Sequence, residues 1–227
     1  MSDKMNSTMP PVGRLVLVLS LIAFISGVTI VFAYQITSEP IARNHRERLE
    51  NAVFTVLPGA EVRVNFYLDE DGLTRLGDEE IDQANAYAGY DPAGDLVGVA
   101  FEASAMGYAD TIRMLYGYSL ERECIVGFTV LQSSETPGLG ALIASDPDFL
   151  ANFECLDAQL NEEKTGLENE IRTATRRDAE EDWEIDGITG ATVSSEAVGR
   201  GLRESTERYL PLLARYIDDL PQTTEAE

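Results

Sequence analysis

The chain has 227 residues, with 17 lysines and arginines against 40 aspartates and glutamates, for a formal net charge of −23 at pH 7. Its length predicts one domain or two small ones, and 44% hydrophobic residues is typical of a folded protein. The acidic excess argues against binding nucleic acid, or an anionic lipid surface through the soluble part, because both need cationic side chains. Two cysteines and one histidine exclude a zinc ribbon and a multi-histidine metal site, and they disfavour a Ser-His-Asp hydrolase.

An uninterrupted apolar segment covers residues 15–34, with no charged side chain in its 20 residues. As a helix it spans about 30 Å, the thickness of the hydrocarbon core of a bilayer. One alternative is a buried core helix, which rarely lacks a polar face over this length. Another is a signal peptide cleaved near Ala33, but its apolar core normally has only about 7–15 residues. We therefore expect an uncleaved transmembrane helix at 15–34, preceded by a cytoplasmic tail at 1–14.

The negative charge lies almost entirely behind this segment. The first 34 residues contain only three charged side chains, so the remainder carries 15 basic and 39 acidic residues and a net charge of −24. The basic residues on the two sides of the segment are nearly balanced, and the positive-inside rule therefore decides little. A short tail stays easily in the cytoplasm, whereas large domains translocate largely regardless of charge. We therefore expect the domain outside the cytoplasm.

The next part of the chain reads as a short helix followed by a sheet. Residues 35–60 predict a juxtamembrane helix that begins near Pro40 and ends at Pro58-Gly59. Short alternating runs follow, separated by turn residues such as those at 91–95. They predict an antiparallel sheet of about five strands, at residues 62–68, 86–90, 96–103, 111–118 and 123–132.

The remaining sequence favours helices. Residues 141–153 are helix-like, the charged stretch 161–182 is typical of a solvated helix-and-loop surface, and 195–217 carry one apolar stripe with a kink expected at Pro211. An acidic tail follows at 219–227. The predicted fold class is α+β: a single transmembrane helix, then a domain at residues 61–218 in which an antiparallel sheet packs against helices.

The strongest chemical signal is the segment 186–192, Asp-Gly-Ile-Thr-Gly-Ala-Thr. Gly190 and Ala191 keep the backbone beside Thr192 slim, so a bulky group can approach that hydroxyl. The segment leads into a helix, whose free N–H groups favour an anion such as a phosphate. From this physics alone, an ordinary helix start with Ser194 or Ser195 as its N-cap is the simpler interpretation.

A second segment, Glu-Thr-Pro-Gly-Leu-Gly at 135–140, lies upstream. Pro137 and Gly138 suit a type II turn, and the glycines permit close approach of the backbone to a flat ligand. An ordinary loop between a strand and a helix explains the same residues.

The two segments, 135–140 followed along the chain by 186–192, resemble segments of the FMN-binding domain found in one subunit of the Rnf complex, known as RnfG. The same domain occurs in the C subunit of the sodium-pumping NADH:quinone reductase. The resemblance covers almost the whole chain. In that family FMN is attached through its phosphate, as a phosphoester, to the last threonine of the motif found here at 186–192, which is Thr192. The resemblance implies that other residues of the two motifs bind the cofactor: Asp186, Thr189, Gly190, Ala191, Glu135, Thr136, Leu139 and Gly140.

The resemblance also implies a function. The chain would be an electron carrier in an ion-translocating membrane complex that couples electron transfer between ferredoxin and NAD to Na⁺ or H⁺ movement. Its partners would be other membrane and peripheral subunits, the lipid bilayer, and an FAD-dependent flavin transferase. Its location would be the bacterial inner membrane, with the domain on the periplasmic side. Two alternatives stay open: a tethered scaffold without a redox group, and an FMN-binding domain of another extracytoplasmic reductase.

Several single residues leave questions for the structure. Relatives often have Gly-Tyr-x-Gly-x-Ile ahead of a strand, and Asp110 replaces the second glycine here, which puts the local turn in doubt. Cys124 and Cys155 could form a disulfide or remain two buried thiols. Asp186 could assist attachment by holding a metal or taking the threonine proton, or simply orient the turn. His45 is expected on an exposed helix, and Trp183 could pack against a flavin ring or be an ordinary aromatic.

Overall fold

The structure, a computed structural model, describes residues 12–174 and 179–221, with the backbone alone for residues 38–45 and 79. The chain divides into two units, Met1–His45 and Arg46–Glu227. Helix α1 (Val12–Val56) contributes residues to both units.

In the first unit, the stretch Val12–Thr37 of α1 is 26 residues long and apolar enough to cross a membrane, and none of its most apolar window is buried. The predicted transmembrane segment 15–34 lies within it. So many exposed apolar side chains on one helix are stable only in an apolar environment, which favours association with a membrane.

The predicted start of a separate helix near Pro40 is wrong, because α1 runs through this position without a break. Proline removes one N–H donor from a helix but does not always end it. The predicted end is confirmed: α1 stops at Val56, and Gly59 follows in the left-handed region with a φ of +99°.

The second unit is built on one seven-stranded antiparallel sheet in the order β2-β1-β3-β4-β5-β6-β7. The five predicted strands are confirmed, and the sheet gains two short strands, β2 and β7, at its edges. The strands are β1 (Val62–Leu68), β2 (Leu73–Leu76), β3 (Ala86–Tyr90), β4 (Leu96–Met106), β5 (Thr111–Ser119), β6 (Cys124–Gln132) and β7 (Leu156–Asp157).

Each face of the sheet buries its own hydrophobic cluster. Phe101 and Tyr116 belong to the larger cluster, together with the apolar face of helix α3 (Thr192–Tyr216). Their strand neighbours Ala100 and Leu115 point the other way, into a second cluster with the last turns of α1. Since alternate side chains of a strand point to opposite faces, the sheet lies between α3 and the end of α1.

Four glycines allow the end of α1 to rest directly on the sheet. Gly89 pairs with Gly98, and Gly117 pairs with Gly127, on the adjacent strands β3 to β6. A Cβ atom at Gly117 or Gly127 would lie only 2.0 or 2.3 Å from the carbonyl oxygen of Val56. No side chain fits at these two positions while α1 keeps its place.

We predict that Gly117→Ala lowers the free energy of unfolding by about 1–3 kcal/mol, since the added methyl group collides with backbone rather than with a flexible side chain. Urea denaturation of the full chain in detergent measures the loss. Gly166→Ala is the matched control, because its Cβ would lie 3.9 Å from the nearest atom, the Asn161 amide nitrogen. Equal unfolding midpoints for the two variants would contradict the packing argument.

The connection after β6 contains short helices in place of the predicted helix at 141–153. A 3₁₀ turn at Gly140–Ala144, helix α2 (Pro147–Ala151) and a 3₁₀ turn at Asn152–Glu154 follow one another. Asp146 separates them, because its side chain accepts a hydrogen bond from the Phe149 N–H and begins a new helix just before Pro147.

The open question about the cysteines is answered by the structure: Cys124 and Cys155 form a disulfide.

The charged stretch 161–182 contains no helix among its described residues. Within it, β8 (Arg172–Ala174) pairs in parallel with β9 (Glu184–Asp186). Ile171, just before β8, and Ile185, in the middle of β9, are buried. Two buried isoleucines therefore give this surface segment strand structure.

Helix α3 begins three residues earlier than predicted and continues through Pro211 to Tyr216.

Candidate functional site

The segment 186–192 folds as a tight turn followed directly by α3. The Ala191 N–H donates to the Ile188 carbonyl at 2.9 Å, and Gly190, at the third position of this turn, has a φ of +86°. Glycine adopts this conformation without strain. Thr192 is then the first residue of α3 and is exposed.

The alternative interpretation, with Ser194 or Ser195 as the N-cap, is wrong about the cap, because the N-cap position is Ala191, which has no side chain that can cap. The first backbone N–H groups of a helix have no carbonyl partner within that helix. Here they lie beside the Thr192 hydroxyl. Such a helix start favours a negatively charged group.

The segment 135–140 forms the turn predicted for it. The Leu139 N–H donates to the Thr136 carbonyl at 3.1 Å, and Gly138 has the positive φ, +76°, that a type II turn requires. The turn leaves the Leu139 side chain 52% exposed.

Glu135, the first residue of that segment, joins three parts of the chain. Its side chain is only 6% exposed. One carboxylate oxygen, Oε1, accepts a hydrogen bond from the Ala109 N–H at 2.9 Å, in the turn between β4 and β5. The other, Oε2, accepts one from the hydroxyl of Ser194, in the first turn of α3. This carboxylate therefore connects the β4–β5 turn, the 135–140 loop and the start of α3.

Glu135 is ionised at neutral pH. Burial alone would raise the pKa of its carboxyl. Hydrogen bonds from the Ser194 hydroxyl and the Ala109 N–H, with the nearby backbone N–H groups of Tyr108 and Asp110, stabilise the charged form, and together they lower the pKa below its ordinary value.

The β4–β5 turn itself is well formed, although Asp110 stands where relatives often have glycine. The Gly107 N–H donates to the Asp110 carbonyl at 2.9 Å, and the Asp110 side chain accepts from the Thr111 N–H at 2.7 Å. Asp110 thus supplies its own hydrogen bond to the turn, and the doubt raised by the sequence is removed.

A cleft of about 460 Å³ opens at the junction of these segments. Its rim carries three apolar side chains that are unusually exposed: Tyr108 at 76%, Leu139 at 52% and Val193 at 47%. The cleft is lined by Tyr108, Glu135, Thr136, Leu139, Gly140, Gly190, Ala191, Thr192, Val193 and Ser194.

The structure thus brings seven of the nine predicted site residues into one cleft. Sequence reasoning did not assign Tyr108, Val193 or Ser194 to it. Two signals were available: Tyr108 lies in the Gly-Tyr pair that resembles the family, and Val193 and Ser194 directly follow Thr192. What could not be inferred is that an apolar residue at the start of a helix stays exposed.

The other two predicted residues, Asp186 and Thr189, line a neighbouring cleft of about 250 Å³ beside Phe149. The Asp186 carboxylate accepts from the Ala179 N–H at 3.0 Å. The backbone N–H of Asp186 donates to the Asn152 side-chain oxygen at 2.9 Å. These contacts orient the backbone ahead of the turn. A direct part for Asp186 in attachment stays a prediction.

The two single residues singled out in the sequence, Trp183 and His45, have different outcomes. Trp183 is partly exposed and does not line the cleft that contains Thr192. The side chain of His45 lies outside the described residues. Among the side chains that the structure describes, no group of three histidines, cysteines or acidic residues is arranged to hold a metal ion.

Comparison with known proteins agrees with this geometry. Residues 107–207 match the FMN-binding domain family. The chain is 29% identical over 212 residues to the G subunit of the ion-translocating oxidoreductase complex of Methanosarcina acetivorans, covering 91% of this chain and 96% of the relative. It is 27% identical over 190 residues to the G subunit of the proton-translocating ferredoxin:NAD(+) oxidoreductase complex of Clostridium ljungdahlii, covering 84% and 87%.

The fold is also found in a solved structure. NqrC of Shewanella oneidensis superimposes with a TM-score of 0.57 at 15% identity, covering 78% of this chain and 98% of NqrC. The sheet, the cleft and the matched region define an α+β protein with an FMN-binding domain behind an apolar N-terminal helix. Over most of its length the chain resembles the G subunits of ion-translocating oxidoreductase complexes, and residues 107–207 match an FMN-binding domain.

We predict that the contribution of Glu135 to stability depends on pH. A carboxyl whose pKa is lowered on folding stabilises the fold above its unfolded pKa, about 4.3, and this stabilisation disappears as the pH falls through the folded pKa. The difference in free energy of unfolding between wild type and Glu135→Gln is therefore expected to be constant near pH 7 and to shrink below about pH 4. Denaturant titrations at several pH values measure it. A difference that grows on acidification would contradict the assigned charge.

Proposed function

We propose that this chain is an RnfG-type subunit of an ion-translocating oxidoreductase complex, and that it carries FMN joined by a phosphoester to Thr192. The observation that carries the proposal is the position of Thr192. Its side chain is exposed, begins α3, and lies in a cleft with an apolar rim. The motif around it resembles the flavin attachment motif of the family.

The residues around Thr192 fit both ends of FMN. The free N–H groups at the start of α3 suit a phosphate on the Thr192 hydroxyl. The exposed side chains of Leu139, Val193 and Tyr108 offer apolar contacts to a flat aromatic ring. At Gly190 an added Cβ would meet nothing closer than 3.8 Å, so the approach to Thr192 is open. When bound, FMN supplies the electron-transfer chemistry, and the chain supplies its position.

Attachment by an FAD-dependent flavin transferase gives Thr192 a defined role. Its hydroxyl oxygen attacks the phosphorus on the FMN side of the FAD pyrophosphate. A P–O ester bond forms, the phosphoanhydride bond breaks, AMP leaves, and the hydroxyl proton passes to a base of the transferase.

The names of the relatives support the wider role. The Clostridium relative is named as part of a proton-translocating ferredoxin:NAD(+) oxidoreductase complex. A relative from Acetobacterium woodii, 30% identical over 51% of each chain, is named as part of a Na(+)-translocating one. We propose that this chain passes electrons between other membrane and peripheral subunits of such an Rnf-type complex. The names include both ions, so the proposal leaves the ion open.

The proposed location is the bacterial inner membrane, with the helix at residues 15–34 crossing the bilayer and the domain on the periplasmic side. The disulfide between Cys124 and Cys155 supports this orientation, because disulfides persist in the periplasm and are rare in the reducing cytosol. The exposed apolar surface of Val12–Thr37 supports the membrane anchor.

We predict that Thr192→Ala abolishes covalent flavin while the domain stays folded, since this side chain is exposed and an exposed substitution usually changes stability by under about 0.5 kcal/mol. The test is co-expression with the transferase, followed by in-gel fluorescence of the denatured protein and intact mass. Thr192→Ser is the matched control: it keeps the hydroxyl and should keep the flavin. Flavin retained by Thr192→Ala, or absent from the wild type, would refute the attachment. The absence of any flavin would favour the scaffold alternative.

We also predict that the isolated, flavin-loaded chain is not reduced rapidly by NADH. The sequence contains no Gly-x-Gly-x-x-Gly segment, so it lacks the usual phosphate-binding turn for a dinucleotide. Anaerobic mixing with NADH should leave the absorbance of the oxidised flavin unchanged on the timescale of turnover, whereas dithionite should bleach it. Rapid bleaching by NADH would show that this chain accepts hydride directly.

A further inference from the structure

We propose that Glu135 is a positioning residue for the Thr192 hydroxyl, acting through Ser194. This inference rests on the proposed attachment of FMN to Thr192 and adds a residue that makes the attachment efficient. Thr192 presents the acceptor oxygen, and Glu135 holds the first turn of α3 so that this oxygen faces the cleft.

The first part of the argument is the short connection from Glu135 to Thr192. Ser194 follows Thr192 by two residues within one helical turn, so the two lie about 3 Å apart along the helix axis. The Ser194 hydroxyl donates to Glu135 Oε2, and both side chains are at least nine-tenths buried. A charge-assisted hydrogen bond shielded from water is short and directional. It therefore fixes the start of α3 where a helix would otherwise fray.

The second part is the other carboxylate oxygen. Glu135 Oε1 accepts from the Ala109 N–H and thereby holds the turn that carries Tyr108 on the cleft rim. The Glu135 side chain thus fixes the position of the Thr192 hydroxyl, which receives FMN, relative to the Tyr108 side chain on the cleft rim. Both would shift if the carboxylate were lost.

Two glycines make room for this carboxylate. A Cβ at Gly107 would lie 2.5 Å from Glu135 Oε1, and a Cβ at Gly140 would lie 2.4 Å from both Oε2 and the Ser194 hydroxyl oxygen. Any larger residue at either position would displace the carboxylate. The close packing on both sides indicates that the backbone is shaped around the ionised group.

These contacts also show what Glu135 does not do. Its two oxygens accept from Ala109 and Ser194, and the Thr192 hydroxyl is not among its described hydrogen-bond partners. Being negatively charged, it cannot bind the phosphate of FMN either. The positioning role is separate from the prediction that Glu135 also contacts another part of the cofactor, and that contact stays a prediction.

The test uses the full chain in detergent as the acceptor substrate, with FAD and a purified flavin transferase. Initial rates of covalent flavin formation are measured by in-gel fluorescence over a range of acceptor concentrations. For Ser194→Ala and Glu135→Gln we expect kcat to fall about tenfold or more with little change in KM, because a misplaced acceptor reacts slowly even when bound. The control Glu121→Gln removes the same charge from the exposed β5–β6 turn, at the opposite end of β5, and should match the wild type.

A purely structural role gives a different result. If the variants were only less stable, fewer acceptor molecules would be competent, so the apparent KM would rise while kcat stayed at the wild-type value. That result would overturn the inference, and so would wild-type kinetics for both variants. If the wild-type chain is labelled efficiently with flavin, either of these two results overturns the role of Glu135 alone and leaves the proposed function intact. Failure to label the wild type would instead refute the attachment at Thr192.

Discussion

The site depends on one buried carboxylate. Glu135 is 6% exposed and negatively charged, and burying such a charge is costly unless hydrogen bonds replace its water. Here Ser194 and backbone N–H groups of the β4–β5 turn replace it, and they lower the pKa of the carboxyl. The geometry of the cleft follows from this requirement, because every donor must point at the same side chain. Three segments distant in the chain are thereby brought to one place.

The sheet supplies the rigid support for this arrangement. Strand β4 ends and strand β5 begins at the turn that Glu135 holds, and α3 packs on one face of the sheet. On the other face, Gly117 and Gly127 let the end of α1 contact the backbone of the sheet. Both faces are therefore covered, and the cleft lies at one end of the strands, where loops can carry function without disturbing the core.

Much of the fold could be predicted from local pattern. The strands at 62–68 and 86–90 match to the residue, because alternation and turn residues such as Asp91 act over a few positions. The strands β2 and β7 were missed since four and two residues are too short to show alternation. The helical pattern at 141–153 was overridden by Asp146 and by contacts among Phe128, Phe149 and Phe153. The charged stretch hides β8, which forms only because β9 lies beside it.

Two features of this protein were determined by the sequence alone: the apolar segment at 15–34, whose length matches a bilayer, and the motif ending at Thr192, whose small residues leave its hydroxyl accessible. Both are local, so no distant contact is needed to recognise them. Only the tertiary structure decided that Glu135 bonds to Ser194, 59 positions away, and that Cys124 pairs with Cys155. It also decided that Ser194 holds the helix start from the side instead of capping it. Such contacts depend on how the strands and α3 pack, which no short stretch of sequence encodes.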